Sequence, residues 1–419
     1  MAQADDLQTR GTVPWRRLAV PVYGPTILIS IGEGAVLPIV ALSARSLGAS
    51  VGVAALIVAL IGIGQLLGDL PAGAVAARIG EKRALILACA LDVCALLGAY
   101  LASSLVLLGI AMLAGGLAYA MFSLARQAYL TEAIPLPMRA RALSTLGGTF
   151  RLGIFLGPFV TAAILTRGGI ETAYAFAALM SLATAILTAF LPDVTLEHRR
   201  AHAATGERHR TIASVLSQHR RVLLTLGTGI LIISAARSTR SAVVPLWADS
   251  QGIDAATTSV IFGISAGVDL LLFYPGGAIM DRFGRVYVAA PTMIILGIGF
   301  LLLPRTSTPL AIAAVAALMG LGNGLSAGIV MTLGADAAPR DGRAQFLGGW
   351  RLCSDLGNAG GPLVISAVAA AATLAAAAVV MGMIVLAGSG WLMRWVPVYA
   401  PRRNGEHDHS DAGNRRVWP

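Results

Sequence analysis

The chain has 419 residues, of which 56% are hydrophobic and only 12% charged, with a formal net charge of +10. A soluble globular protein carries roughly 25% charged residues, so a cytosolic enzyme, a secreted domain and a disordered chain are all excluded. The basic residues fall in small groups between apolar runs, which excludes a nucleic-acid-binding protein as well.

The first 17 residues are polar and read as a tail. The apolar stretch behind them is too long for the h-region of a cleavable signal. About 20 apolar residues cross the hydrocarbon core, and twelve candidate spans follow in order. Their approximate limits are 18–43, 51–77, 84–103, 105–131, 141–166, 170–192, 222–247, 256–280, 286–303, 308–334, 344–368 and 372–397, numbered spans 1 to 12 below. The predicted fold is an all-α membrane protein of two six-helix bundles, 18–192 and 222–398. Between them residues 193–221 form a basic linker, and 399–419 a disordered tail. Cys89, Cys94 and Cys353 sit in apolar stretches at no metal-ligand spacing and read as buried structural thiols.

Lys and Arg near the span ends set the orientation. With an internal N-terminus, 23 basic residues fall on the cytoplasmic side, and only Arg45, Arg167 and Arg305 outside. Both termini are therefore expected in the cytoplasm of a multi-pass protein of the plasma or inner membrane. The linker's His198, His202 and His209 need no ligand to explain them, and no metal or other cofactor is expected.

The halves align at a constant offset of 204 residues. Gly48 pairs with Gly252, Pro71 with Pro275, Gly73 with Gly277, Arg78 with Arg282 and Gly80 with Gly284. Glu132 pairs with Asp336, Pro135 with Pro339, Arg139 with Arg343, Gly153 with Gly357, Gly157 with Gly361 and Pro158 with Pro362. Two equivalent bundles facing each other are an architecture of secondary transporters.

Two motifs carry a family resemblance. After span 2 the loop runs from Gly73 through Arg78 and Gly80 to Arg83, and after span 8 from Gly277 through Asp281, Arg282 and Gly284 to Arg285. Both resemble the G-x-x-x-D-R-x-G-R-R signature of the major facilitator superfamily. Gly153, Gly157 and Pro158 in span 5, repeated by Gly357, Gly361 and Pro362 in span 11, resemble the G-x-x-x-G-P element of its antiporter branches. The resemblance implies that the acids and arginines of these loops, with Glu132 and Asp336, form a cytoplasmic latch; plain loop anchors and helix caps are the alternative. It also implies that the glycines let helices approach closely. Ala77 replaces the family's first-half aspartate, Met112 its span 4 arginine, and Thr161-Ala162 the glycine pair after Pro158.

Ten charged residues lie at bilayer depth: Glu33, Asp69, Asp92, Arg126, Arg151, Arg237, Arg240, Asp269, Arg351 and Asp355. Such residues usually face a cavity or a partner. Depth, counted from the nearest basic loop, matches Asp69 with Arg351, Arg151 with Asp269, and Glu33 with Arg237. The resemblance implies that their helices face one another across the halves, so these are expected as interdomain pairs. Neutralisation within one bundle, Asp69 with Arg126 and Arg351 with Asp355, is the alternative. Arg351, Asp355 and Asn358 share one face of span 11, Thr26, Ser30 and Glu33 one of span 1, and Arg237, Arg240 and Ser241 one of span 7. These faces are expected to line a central cavity. Asp92, on a peripheral span, reads as structural, and Pro38 and Pro245 are expected to kink spans 1 and 7.

The leading expectation is secondary active transport by alternating access, specifically proton-coupled efflux of drug-like or amphiphilic compounds by a monomer. Glu33, Asp269 and Asp355 are the carboxylates expected to take up protons. The alternative is import or exchange of a polar or anionic metabolite held by Arg151, Arg237, Arg240 and Arg351. No H-E-x-x-H, G-x-S-x-G or nucleotide-binding G-x-x-x-x-G-K-[ST] occurs, so neither an enzyme nor an ATP-driven pump is expected.

Overall fold

The computed structural model describes residues 15–133, 139–191, 212–326, 328–339 and 341–399. Most of the two tails and linker residues 192–211 lie outside the described residues, as do the side chains of Glu132 and Arg139.

Every described element is a helix. Span 1 is Trp15–Val36 followed by Ile39–Ser46; Pro38 has no N–H to continue the ladder, so the helix stops there and restarts. Spans 2 to 6 are Val51–Ile79, Glu81–Tyr100, Leu105–Ala133, Arg139–Leu165 and Thr172–Ala189. Span 7 begins at Arg220–Val222, passes through a π-turn at Leu223–Gly227 and continues as Thr228–Ser250, carrying Pro245 inside it. Spans 8 and 9 are Ala255–Phe283 and Val286–Leu302, and span 10 is broken into Pro309–Leu325 and Ile329–Ala337. Spans 11 and 12 are Arg343–Ala371 and Leu374–Tyr399. Among the described residues eleven helices are long and apolar enough to cross a membrane. Span 11 has the length, at 29 residues, but carries Arg351, Asp355 and Asn358 in its polar half.

The repeat is visible in local chemistry. Ser50 and Asp254, 204 residues apart, N-cap spans 2 and 8 by accepting from the amides of Val53 and Thr257. Ser104 and Thr308 do the same for Leu107 and Ala311 ahead of spans 4 and 10. Gly80 and Gly284 end spans 2 and 8 with φ of 92° and 104°, which a side chain rarely adopts.

Packing repeats as well. In the first half spans 1 and 5, 2 and 4, and 3 and 6 pack together; in the second, spans 7 and 11, 8 and 10, and 9 and 12. Span 2 meets span 11, and span 5 meets span 8, across the halves. One apolar core joins both halves at the end that holds Arg45, with Val40, Leu42, Tyr174, Val243 and Leu246 buried in it. At the other, arginine-rich end the first half keeps a separate core around Ala88, Phe122 and Ala125.

The three cysteines are free, and only Cys89 is buried: Cys353 is half-buried and Cys94 is exposed on the outer face of span 3. The expectation of three buried thiols thus fails at Cys94, because an apolar span in lipid can turn a thiol outward.

Candidate functional site

The charged residues at depth gather into three groups. At the meeting of spans 2 and 11, Arg351 Nη2 lies 2.8 Å from Asp69 Oδ1, and its Nε donates to Asp69 Oδ2 at 3.2 Å. The same guanidinium donates to Ser123 of span 4 at 3.2 Å and stands 3.6 Å from Asp355, one turn along its own helix. Arg351 therefore has a partner across the halves and one within its own span. Asp355 is buried and accepts a long 3.5 Å bond from Asn358 Nδ2. Arg126 is not at Asp69; its guanidinium lies over the rings of Phe122 and Phe150, at 5.4 and 5.7 Å.

The second group forms where span 5 meets span 8. Arg151 pairs with Asp269 Oδ1 and covers the Phe273 ring at 5.1 Å. The other Asp269 oxygen accepts from Asn323 Nδ2 at 2.5 Å, and Asn323 Oδ1 accepts from Arg237 Nε at 2.6 Å. Arg240, only 6% exposed, donates to Ser265 Oγ at 2.6 Å and lies over the Phe262 ring at 5.6 Å. Three guanidiniums share one carboxylate here.

The expected Glu33–Arg237 pair is not formed. Arg237 is held within its own half by Asn323. Glu33 turns into the first bundle, where it lines a cavity of about 90 Å³ with Gln65, Asp92, Met112, Tyr119 and Ser181. Equal depth fixes height along two helices but not the direction in which each side chain points, and here the directions diverge. One Glu33 oxygen is buried with no hydrogen-bond partner. Asp92 accepts a hydrogen bond from Ser181 and lines the same cavity, which gives it a more specific place than a peripheral span suggested. Thr26 and Ser30 do not line a central cavity: both are buried, and Ser30 Oγ returns to the Thr26 carbonyl at 2.6 Å.

Among the described residues the second-half loop motif pairs within its own half. Arg285 Nε donates to Asp336 at 2.9 Å, joining the loop after span 8 to span 10, and Arg285 Nη1 lies 3.5 Å from Asp281. Asp281 is mostly exposed, with Arg285 as a partner. Arg78 is exposed, as is Arg282, which lies over the Phe283 ring at 5.3 Å. Gly73 and Gly277 are not close-packing positions, since a Cβ there would meet nothing within 4 Å. The close approach occurs elsewhere: a Cβ at Gly153 or Gly157 would strike Ser30, Ile31 or Ala35 of span 1. At Gly357 or Gly361 it would strike Leu231 or Ala235 of span 7. Pro158 and Pro362 sit inside the same two helices.

Composition and depth missed Ser123, Ser265 and Asn323, the neutral groups that orient the arginines. They also missed Arg45 and Asp249, whose side chains meet at 3.0 Å between spans 1 and 7. These two are 204 residues apart, so the repeat offset itself held the signal.

The model of the Major Facilitator Superfamily matches residues 25–362 and 226–416. The chain belongs to the major facilitator superfamily. Solved structures agree in fold at low identity. A variant of the nucleoside transporter NupG matches with a TM-score of 0.72 at 12% identity, covering 90% of this chain and 99% of its own. A D-xylose-proton symporter matches at 0.70 and 16% identity, covering 91% and 98%. The human organic anion transporter MFSD10 (TETRAN) matches at 0.64 and 18%, covering 91% and 100%. No curated protein sequence matches the chain. As a superfamily member it is a multi-pass membrane transporter; two of the charge groups lie at the contact between its two bundles, and Glu33 and Asp92 lie within the first.

Proposed function

We propose that the chain is a secondary active transporter working by alternating access, with both termini cytoplasmic, that exports a drug-like or amphiphilic compound in exchange for protons. The observation that carries this reading is the Asp69–Arg351–Asp355 group, in which two carboxylates face one guanidinium where spans 2 and 11 meet. The group has one excess negative charge, which a single proton neutralises. Breaking Asp69 from Arg351 without that proton would strand a charge at depth, which is costly. Once the group has taken up that proton, Arg351 can keep its one charged partner within span 11 and the halves separate more easily. Proton occupancy and the opening of the interface are thereby linked. Export is supported by the resemblance of the Gly153–Pro158 and Gly357–Pro362 elements to antiporter branches, and proton coupling by the D-xylose-proton symporter among the similar folds.

Transport into proteoliposomes under an imposed pH gradient tests this reading, with cationic dyes and organic anions as candidate substrates. The expected result is gradient-driven flux that D69N and D355N uncouple while exchange without a gradient persists. Flux that ignores the gradient in the wild-type protein would sink proton coupling. Import or exchange of a polar metabolite would use the same interface and is recognised by flux running with the protons rather than against them.

A further inference from the structure

The ten charges at depth sum to zero over the chain but not locally. Asp69 and Asp355 outnumber Arg351 by one, and Glu33 and Asp92 outnumber Arg126 by one. Arg151, Arg237 and Arg240 outnumber Asp269 by two. The excess positive charge is therefore concentrated where span 5 of one half meets span 8 of the other. The charges of Arg237 and Arg240 both act against that of Arg151. Arg240 is more than nine-tenths buried, and its Nε has no hydrogen-bond partner. Such a donor is costly to leave unsatisfied in a membrane interior.

We propose that Arg151, Arg237 and Arg240 bind the oxyanion of the transported molecule, with Asp269 as the resident counter-ion that the ligand displaces. The proposal rests on the reading that the contact between the halves is the transport path. Guanidiniums match carboxylate, phosphate and sulfonate oxygens by paired, charge-assisted hydrogen bonds. Arg237 is half-buried, and Arg240, buried one turn along span 7, carries the free Nε. Arg151 comes from the opposite half, so an anion held by all three ties the halves together as Asp269 now does. Phe262 and Phe273 cover Arg240 and Arg151, while Phe155 and Phe159 of span 5 press on Gly267 and Gly263 of span 8. These rings suit an anion with an apolar, aromatic body.

Thermal unfolding and equilibrium dialysis of the purified full chain in detergent test this without any gradient. The probes are 2-naphthoate, naphthalene-2-sulfonate and inorganic phosphate, with 2-naphthamide as the neutral control and a naphthylmethyl-trimethylammonium ion as the cationic one. The two aromatic anions are expected to bind and raise the melting temperature, while the amide and the cation do not. R237Q and R240Q are each expected to weaken naphthoate binding by about tenfold or more, the scale of one charged hydrogen bond. D269N is expected to bind naphthoate more tightly, since a competing carboxylate has been removed. A residue with a merely structural role would not produce that sign. Protection by inorganic phosphate alone would name a free oxyanion as the ligand. Binding of the neutral amide as tightly as naphthoate, or no binding by any of the three anions, would overturn the proposal. If R240Q does not fold, the half-buried R237Q decides, and unchanged affinity there overturns the site. Because binding is read at equilibrium, loss of proton coupling would leave these results intact, and gradient-driven flux of a cationic dye with no anion bound would overturn the site while keeping the proton-coupled reading.

Discussion

Exchanging the charges of Asp69 and Arg351 is the direct way to ask whether they act as a pair, and the surroundings of Arg351 decide what the exchange does. The D69R/R351D double variant sets a carboxylate one turn from Asp355, where Arg351 now stands 3.6 Å away. Two adjacent carboxylates in a half-buried setting repel, and neither retains a cation on its own helix. The double variant is therefore expected to transport no better than either single variant. Adding D355N removes the repulsion, and D69R/R351D/D355N is expected to regain a substantial part of the lost flux, measured as gradient-free exchange in proteoliposomes. Full recovery in the double variant alone would mean that Asp355 has no share in Arg351. Apolar spans measured from basic loops place Asp69 level with Arg351 and Arg151 level with Asp269, and both contacts are present. They also place Glu33 level with Arg237, where the side chains diverge. Height is written in residue number, but direction depends on how each helix is rotated by its neighbours. The neutral partners Ser123, Ser265 and Asn323 carry no charge to mark them in an apolar run.

At the scale of the helix, the ends hold sequence-specific chemistry that hydropathy does not register. Asp254 caps span 8 by accepting from the Thr257 hydroxyl at 2.6 Å and the Thr257 amide at 2.9 Å. These bonds hold its carboxyl below the usual carboxylate range. A carboxylate whose folded value is depressed adds stability that is complete above the ordinary value, near 3.8, and fades as pH falls through the lower folded value. D254A is expected to cost about 1 kcal/mol of stability at neutral pH, and D254S only a few tenths, because Ser keeps an N-cap acceptor. Thermal melts in detergent check both. The wild-type advantage over D254S should be constant from neutral pH down to about 5 and shrink below 3.8. An advantage that grows on acidification would show that the cap works through the protonated carboxyl. The spans themselves were legible because crossing lipid demands long apolar runs. The interruptions within them, at Leu37 and Pro38, in the π-turn Leu223–Gly227 and at Ser326 and Gly328, were not all legible. Only the first contains a proline, which removes a backbone donor.

Across the whole molecule, the two halves are closed at one end and separate in their cores at the other. The shared apolar core brings the first half against the second at the Arg45 end, and there Arg45 Nε donates to Asp249 at 3.0 Å. The two residues occupy equivalent positions in the repeat, so the bond sits where the halves are related by their pseudo-symmetry. The side chains are 35% and 33% exposed, and an ion pair so wet contributes about 1 kcal/mol or less. That is too little to fold a protein, but it is enough to shift two conformers of similar energy by a factor of roughly five. In an alternating-access cycle the closed end must open, so a weak bond at this place acts on the balance of states rather than on folding. R45A and D249A are each expected to raise the population open at this end. Leu42, 4% exposed beside the pair, reports on it: with the exposed Cys94 replaced by Ser, L42C should react with a membrane-impermeant thiol reagent about fivefold faster in R45A than with the pair intact. R45D/D249R restores the attraction in reverse and should return the labelling to its original rate. Equal rates in all three backgrounds would mean that the shared apolar core alone holds this end shut. A fast rate in R45A and in the reversed pair but a slow one in D249A would mean that the Arg45 guanidinium's bond to the Ala49 carbonyl, at 2.5 Å, matters more than its bond to Asp249.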